Sequence, residues 1–247
     1  MSGWEFWVMA VFAAVLTGVG KGGVPIVGAL VVPVLSLVIS PVAAAGLMLP
    51  VYVISDWFGL YAYRRAFDKR VLLIACVSMT LGVVLGWATA KLIPESMVTV
   101  LVGVISVAFA LNQLLRRAVV VEPRRAEWGS GLFWCTIAGF TSFVSHTGAP
   151  PYQVWTLPLG MKKAVFAGTS TIGFAYVNAI KLVPYYYLGQ INLASLEVAL
   201  KLAPFAAAAV FVGVWVVKRL PEKLFFSIVI WSLLLIGAEL IWKGLHG

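Results

Sequence analysis

Long apolar runs separated by short basic loops dominate this sequence, and they leave few folds open to it. A run of about 20 apolar residues is the length that crosses the hydrocarbon core of a bilayer as a helix. The chain is 62% hydrophobic and only 11% charged, with a mean hydropathy of +1.01, and a soluble domain of this size needs more polar surface. The sequence therefore predicts an all-α, polytopic integral membrane protein. The full-length apolar runs are 41–63, 71–90, 96–115, 164–187, 198–217 and 224–242.

Two shorter apolar runs near the start, 6–19 and 24–39, are separated by a glycine-rich break that contains Lys21. Each run is too short to span the membrane upright. Pro25 favours the start of a new helix near Val24, so we expect the backbone to unwind over the glycines before it. A tight loop at the membrane surface is the alternative interpretation.

The same layout recurs in the second half of the chain. The run 128–144 is broken at 145–151, and a short apolar piece follows to Met161. Pro25 precedes one Pro-Glu pair, at Pro94, by 69 residues, and Pro151 precedes the other, at Pro221, by 70. The sequence thus predicts two repeats, 1–117 and 128–247, joined by a cytoplasmic linker at 118–127. Each repeat has a broken or re-entrant helix pair and three transmembrane helices, a layout that points to a transporter's substrate site.

The distribution of basic residues predicts the topology. The loops 64–70, 116–127, 162–163 and 218–223 hold 13 of the 18 lysines and arginines, which places these loops in the cytoplasm. Five segments per repeat is an odd number, so the second repeat is inverted relative to the first and both termini face outward. These basic loops account for the net charge of +9, so the charge does not indicate binding to nucleic acid.

The two breaks are the predicted anion-binding elements. A helix start offers backbone N–H groups and the positive end of a dipole, and two such starts from opposite sides of the membrane would meet near its centre. A lysine that snorkels to the interface and a histidine that bonds between helices are the plainer alternatives. The candidate substrate-binding residues at the breaks are Lys21, Gly22, Gly23, His146, Thr147 and Gly148.

Two ionisable residues lie inside full-length apolar runs. Asp56 follows Pro25 by 31 residues and Lys181 follows Pro151 by 30, so they occupy near-equivalent places in the two repeats. A charge at membrane depth needs a partner or an aqueous path. We expect either a buried ion pair or a proton-coupling carboxylate with a substrate-binding lysine.

Polar side chains cluster on the run 164–187, beside the second break. Thr169, Ser170 and Asn178 are candidate substrate ligands there. Hydroxyls in membrane helices commonly bond the carbonyl one turn back in their own helix, which is the structural alternative.

The break motifs resemble those of a known family. The first break reads Gly-Val-Gly-Lys-Gly-Gly-Val-Pro-Ile-Val from Gly18, and the second reads His-Thr-Gly-Ala-Pro-Pro from His146. These motifs are similar to the two repeats of the sulfite exporter TauE/SafE family. Members of that family resemble toluene sulfonate uptake permeases. The resemblance implies a permease for sulfur-containing or organic anions. Lys21 stands where family members have a third glycine. Cys76 and Cys135 lie outside both breaks, so the resemblance does not imply thiosulfate carriage by a cysteine relay.

Together these observations predict a secondary transporter of a small sulfur anion, such as sulfite or an organosulfonate, in the inner (cytoplasmic) membrane. Alternating access would be driven by a proton or ion gradient. An anion channel or facilitator, or a transporter of another small organic anion, is the alternative. We expect no enzyme, because no carboxylates, histidines or nucleophile–base pair cluster at one depth. We also expect no cofactor, no metal and no nucleic acid; the partners are the anion and the bilayer, and a homodimer is left open.

Overall fold

A computed structural model of the chain describes residues 3–24, 27–28, 30–35, 37–90, 92, 94–115 and 123–246. Within these ranges the fold is entirely helical, with no β-strand, which confirms the prediction of an all-α protein. A 3-10 turn, Leu157–Leu159, follows α7. The helices are α1 (Trp4–Lys21), α2 (Val31–Leu35), α3 (Pro41–Tyr63), α4 (Lys69–Thr89), α5 (Glu95–Leu115), α6 (Trp128–Ser145), α7 (Ala149–Thr156), α8 (Lys163–Tyr187), α9 (Leu193–Arg219) and α10 (Glu222–His246).

Six of the described helices are long and apolar enough to cross a membrane. Helices suit this environment because they satisfy every backbone N–H and C=O within the segment. α8 has 25 residues and is also long enough, but its threonines, asparagine and lysine lower its hydropathy. The six candidate spans are Trp4–Lys21, Ala43–Tyr63, Lys69–Thr89, Ser96–Leu115, Leu193–Arg219 and Glu222–His246.

Polar residues in the short loops fix where the long helices begin. The N–H of Val71 donates to the Asp68 carboxylate at 2.9 Å, which caps α4. Asn192 and Ser195 form a capping box at the start of α9, with the Ser195 N–H donating to Asn192 Oδ1 at 2.9 Å. Such caps satisfy N–H groups that the first helical turn leaves open. The loop residues therefore set the helix boundaries, while the apolar runs set the helix lengths.

The chain divides into two compact units, and each takes segments from both halves of the sequence. Unit 1 consists of Met1–Phe67 and Ala167–Leu220, and unit 2 of Asp68–Phe166 and Pro221–Gly247. The predicted repeats describe a correspondence between positions in the sequence, and their boundaries at 117 and 128 stay a prediction. Residues 118–122 of the predicted linker lie outside the described residues.

Unit 1 is built around the packing of α1 on α9, with α3 against both helices. The helix backbones approach so closely that a methyl group at Gly22 would lie 2.5 Å from Gly213 Cα and 2.5 Å from Val210 O. Small residues at helix contacts permit this approach in membrane proteins. The glycine at position 22 is thus required by a helix more than 180 residues further along the chain.

Unit 2 contains a second pair of tightly packed helices, α4 and α6, and a third, α5 and α10. Thr136 Oγ1 on α6 donates to Ser78 O on α4 at 3.2 Å. Val98, Val102 and Leu240 form the buried cluster between α5 and α10. The short helix α7 packs on both α5 and α6, so the second break belongs to this unit.

Replacing Gly22 with alanine should destabilise the protein by about 1 to 3 kcal/mol, because the new methyl group overlaps backbone atoms that cannot rotate away. The measurement is the thermal unfolding midpoint of the detergent-purified protein. Gly129→Ala is the matched control, since nothing lies within 4 Å of its added carbon. Equal midpoints for the two variants would show that the α1–α9 contact is not as close as described.

Candidate functional site

The first break begins later than the sequence predicts. α1 continues through Gly18 and Gly20 and ends at Lys21. The N–H of Gly22 donates to Gly18 O at 2.8 Å, and that of Gly23 to Gly20 O at 3.0 Å. The expected unwinding over all four glycines is therefore wrong. Close contacts with α9 at Gly18 and with Gly28 at Gly20 favour glycines within the helix itself. The chain turns at Gly23, whose φ of +103° suits glycine.

Lys21 thus stands at the C-terminal end of a helix rather than at the start of one. A cation is stabilised there by the negative end of the helix dipole. The N–H groups of Gly22 and Gly23 already donate within the turn, so they can bind an anion only if the turn opens. Pro25, on which the predicted helix start near Val24 depends, lies outside the described residues.

The Lys21 side chain reaches Asp56 on α3. Lys21 Nζ lies 2.6 Å from Asp56 Oδ1, and their side chains are only 13% and 4% exposed. The other carboxylate oxygen accepts a hydrogen bond from Asn178 Nδ2 on α8 at 2.8 Å. The ring of Tyr52 lies 5.3 Å from Lys21 Nζ, within the range of a cation–π contact. Lys21 therefore does not snorkel out to solvent, and both oxygens of Asp56 have partners.

Lys181 is fully buried in the same unit. Lys21 and Asp56 are the charged groups in its surroundings. We call Lys21, Asp56, Asn178 and Lys181 the buried charge cluster. The sequence predicts that each of these side chains takes part in a site or a buried ion pair, and the structure brings all four together within unit 1. The Asp56 carboxylate lies 2.6 Å from Lys21, whereas the positions in the sequence suggest Lys181 as its partner.

The hydroxyl groups predicted on α8 lie at a different level of the helix. Thr169 is buried and Ser170 half-buried, and Asn178 follows Thr169 by nine residues, about 13 Å along a helix. Thr171, which is not one of the predicted ligands, donates from Oγ1 to Lys21 O at 3.2 Å. Thr171 therefore holds the end of α1, while Asn178 contacts Asp56 within the buried charge cluster.

Two tyrosines of α3 complete the surroundings of Lys21, and the sequence analysis missed both. Tyr63 donates its hydroxyl to Gly22 O at 2.7 Å and is buried. Tyr52 lies beside Lys21 and Asp56. Tyr52, Asp56, Gly59 and Tyr63 are spaced by three or four residues and so share one face of α3. That spacing around a buried carboxylate is the signal that would have found them.

The second break, in unit 2, is a sharp turn between α6 and α7. His146 has a φ of 55° and caps the end of α6, and Gly148 precedes α7. The Ser145 and Thr147 hydroxyls lie 2.7 Å apart, and the Thr147 N–H donates to Thr141 O at 3.3 Å. The predicted interruption of the apolar run is present. A role of His146, Thr147 and Gly148 in binding stays a prediction.

The described residues include no group of three or more His, Cys, Asp or Glu side chains placed to hold a metal ion. The buried charge cluster offers electrostatic interactions. Two ammonium groups and one carboxylate, shielded from water, can bind and orient an anion.

Removing one partner of the Lys21–Asp56 pair should destabilise unit 1. Lys21→Met or Asp56→Asn alone leaves a buried charge without its partner, at a cost of about 3 to 5 kcal/mol. The double variant should lose clearly less than the sum of the two single effects. Thermal or denaturant unfolding of the four proteins gives the coupling energy.

The exposed pair Lys201–Glu197, also at 2.6 Å, provides the control. Its side chains are 55% and 69% exposed, so the corresponding cycle should give a much smaller coupling energy. Additive effects of Lys21→Met and Asp56→Asn would contradict an interaction between these two side chains.

Comparison with known protein families matches residues 6–240, nearly the whole chain, to the family described as sulfite exporter TauE/SafE. No curated protein and no solved structure matches the chain. The match covers both breaks, the buried charge cluster and all or most of each described long helix. With its apolar helices, it shows a multi-pass membrane protein. The chain therefore belongs to the sulfite exporter TauE/SafE family, which is a family of membrane transporters and not of enzymes.

Proposed function

We propose that this protein is a secondary transporter that moves a small sulfur-containing anion, such as sulfite or an organosulfonate, across the cytoplasmic membrane. Membership of the TauE/SafE family supports transport of sulfur anions. The observation that carries the proposal is the buried charge cluster, which places two lysines and one aspartate inside a bundle of apolar helices. We propose this cluster as the anion-binding site, with Lys181 and Lys21 as its cations.

The electrostatics of the cluster favour an anion over a cation. Lys181 and Lys21 bring two basic side chains to one buried carboxylate. A positive charge inside a membrane protein is expensive, and such residues face substrate paths or partners. An oxyanion held near Lys181 would lower that cost through charge-assisted hydrogen bonds. A cationic substrate would be repelled by the same lysines.

Helix packing within the units supports the predicted inverted repeats. The repeat correspondence pairs α1 with α6 and α4 with α9. In unit 1 α1 packs closely on α9, and in unit 2 α6 packs closely on α4, so each tight contact is the counterpart of the other. The corresponding helices α5 and α10 begin at Glu95 and Glu222 and pack on each other. Inverted repeats with interrupted helices are typical of carriers that work by alternating access. We propose that mechanism here, with a proton or ion gradient as the energy source.

The test is flux in proteoliposomes with sulfite, sulfate, thiosulfate, taurine, sulfoacetate and an acetate control, with and without a pH gradient. We expect saturable uptake of at least one sulfur anion, accelerated by the gradient. Equal, non-saturating leak of all of them would indicate a channel. Uptake of none would contradict the proposed substrate class.

Lys181→Met should abolish saturable uptake, because it removes the most deeply buried cation of the cluster. Lys201→Met is the matched control: it removes a lysine of the same unit whose side chain is 55% exposed, and uptake should not change. Both variants need the elution volume and unfolding midpoint of the wild type within error. Full uptake by a folded Lys181→Met variant would remove Lys181 from the site.

A further inference from the structure

We propose that Tyr63, together with Thr171, is a positioning residue of the transport site. The two hydroxyls fix the backbone at the end of α1, and that backbone sets where the Lys21 ammonium group stands. The affinity for the substrate then depends on hydroxyls that act on the protein backbone. This inference rests on the proposed function and adds two residues to its site.

The end of α1 has backbone carbonyls that need partners from outside the helix. Lys21 O has no helical donor four residues further on, because residue 25 is a proline and has no N–H. It accepts instead from Thr171 Oγ1 on α8 at 3.2 Å. Gly22 O accepts from the buried Tyr63 hydroxyl on α3 at 2.7 Å. Two hydroxyls from two other helices thus satisfy carbonyls that a helix end leaves open.

The turn after Lys21 has little conformational preference of its own. It consists of Gly22 and Gly23, and glycine has the widest backbone freedom of all residues. A carbon added at Gly23 would lie 2.6 Å from the Tyr63 hydroxyl oxygen, so the tyrosine packs directly against the turn. Contacts from neighbouring helices, including the one from Tyr63, therefore set the conformation of this turn.

Helix α3 holds Lys21 at two points. Asp56 Oδ1 lies 2.6 Å from Lys21 Nζ, and Tyr63, about two turns further along the same helix, binds the carbonyl of the next residue. A lysine ammonium group is carried on a flexible four-carbon stem, so its position is defined only when both ends of the side chain are held.

Loss of the Tyr63 hydroxyl releases the backbone end of this arrangement. The buried Gly22 carbonyl then lacks its donor, which is unfavourable, and the glycine turn rearranges to find another. Lys21 moves with the turn, so its ammonium group leaves the position that Asp56 and the anion share.

The test is the transport kinetics of Tyr63→Phe, which removes the hydroxyl and keeps the aromatic ring. Initial rates are measured in proteoliposomes over a range of concentrations, for the sulfur anion of the panel above that the wild type takes up fastest. We expect KM to rise about fivefold or more while Vmax stays within about twofold, the pattern of lost binding. A residue that only stabilises the fold would lower the amount of active transporter, and hence Vmax.

Tyr61→Phe is the matched control, because it removes the same group from a side chain of α3 that is 63% exposed. KM should not change in this variant. Thr171→Val removes the second hydroxyl and should raise KM in the same way as Tyr63→Phe. Thr171→Ser keeps a hydroxyl and should restore the KM of the wild type.

A second readout needs no ligand. The coupling energy between Lys21 and Asp56 is measured by the unfolding cycle of Lys21→Met and Asp56→Asn, once in the wild type and once with Tyr63→Phe present. If Tyr63 positions Lys21, the coupling energy should fall to about half or less in the second cycle. A structural residue would lower the stability of all four proteins and leave their coupling energy unchanged.

An unchanged KM or an unchanged coupling energy in folded Tyr63→Phe would overturn the inference. If Tyr63→Phe does not fold, Thr171→Val compared with Thr171→Ser decides the matter by the same two readouts. A wild type that takes up no sulfur anion contradicts the proposed function. The unfolding cycle then still shows whether Tyr63 positions Lys21, so the two failures are distinguishable.

Discussion

The ion pair between Lys21 and Asp56 is the interaction on which the described arrangement of unit 1 depends. It joins the end of α1 to a point on α3 about 10 Å before that helix ends, seven residues short of Tyr63. Asn178 connects the same carboxylate to α8, and Tyr63 and Thr171 hold the backbone at Gly22 and Lys21. Three helices from distant parts of the sequence are thus connected through one carboxylate. A site built this way is held in place by the side chains that give it its charge.

Much of the fold is predictable because the membrane leaves the chain few choices. Apolar runs must be helical, so α3 and α8 end where their runs end, at Tyr63 and Tyr187. The first break is different, because its start depends on the contact of Gly22 with Gly213. The local sequence gives no sign of that contact. Four glycines in a short stretch suggest an unwound backbone, yet the helix retains Gly18 because α9 lies against it, and Gly20 because Gly28 does.

The candidate site shows the same division. Asp56, Lys181 and Lys21 stand out in the sequence because a charge in an apolar run is rare. The sequence does not show which lysine pairs with the Asp56 carboxylate, because the pairing depends on how α1 and α8 pack on α3. The matching positions of Asp56 and Lys181 in the two repeats suggest one pairing, and the side-chain geometry gives Lys21 the 2.6 Å contact. Tyr52 and Tyr63 were missed because aromatic residues on an apolar helix carry no distinguishing signal until the buried carboxylate between them is considered.

Stability alone does not account for the two lysines of the buried charge cluster. Lys21 and Asp56 form a pair that well-packed apolar residues would replace at little cost in stability, and Lys181 adds a further ammonium group that is fully buried. Insertion of a lysine at the centre of a membrane helix costs about 2.5 to 3.5 kcal/mol. A chain under selection for stability alone would have no reason to retain that cost, and methionine would fill the same space on α8. A transporter has such a reason, because a positive charge that is costly in the empty protein becomes favourable when an anion is bound.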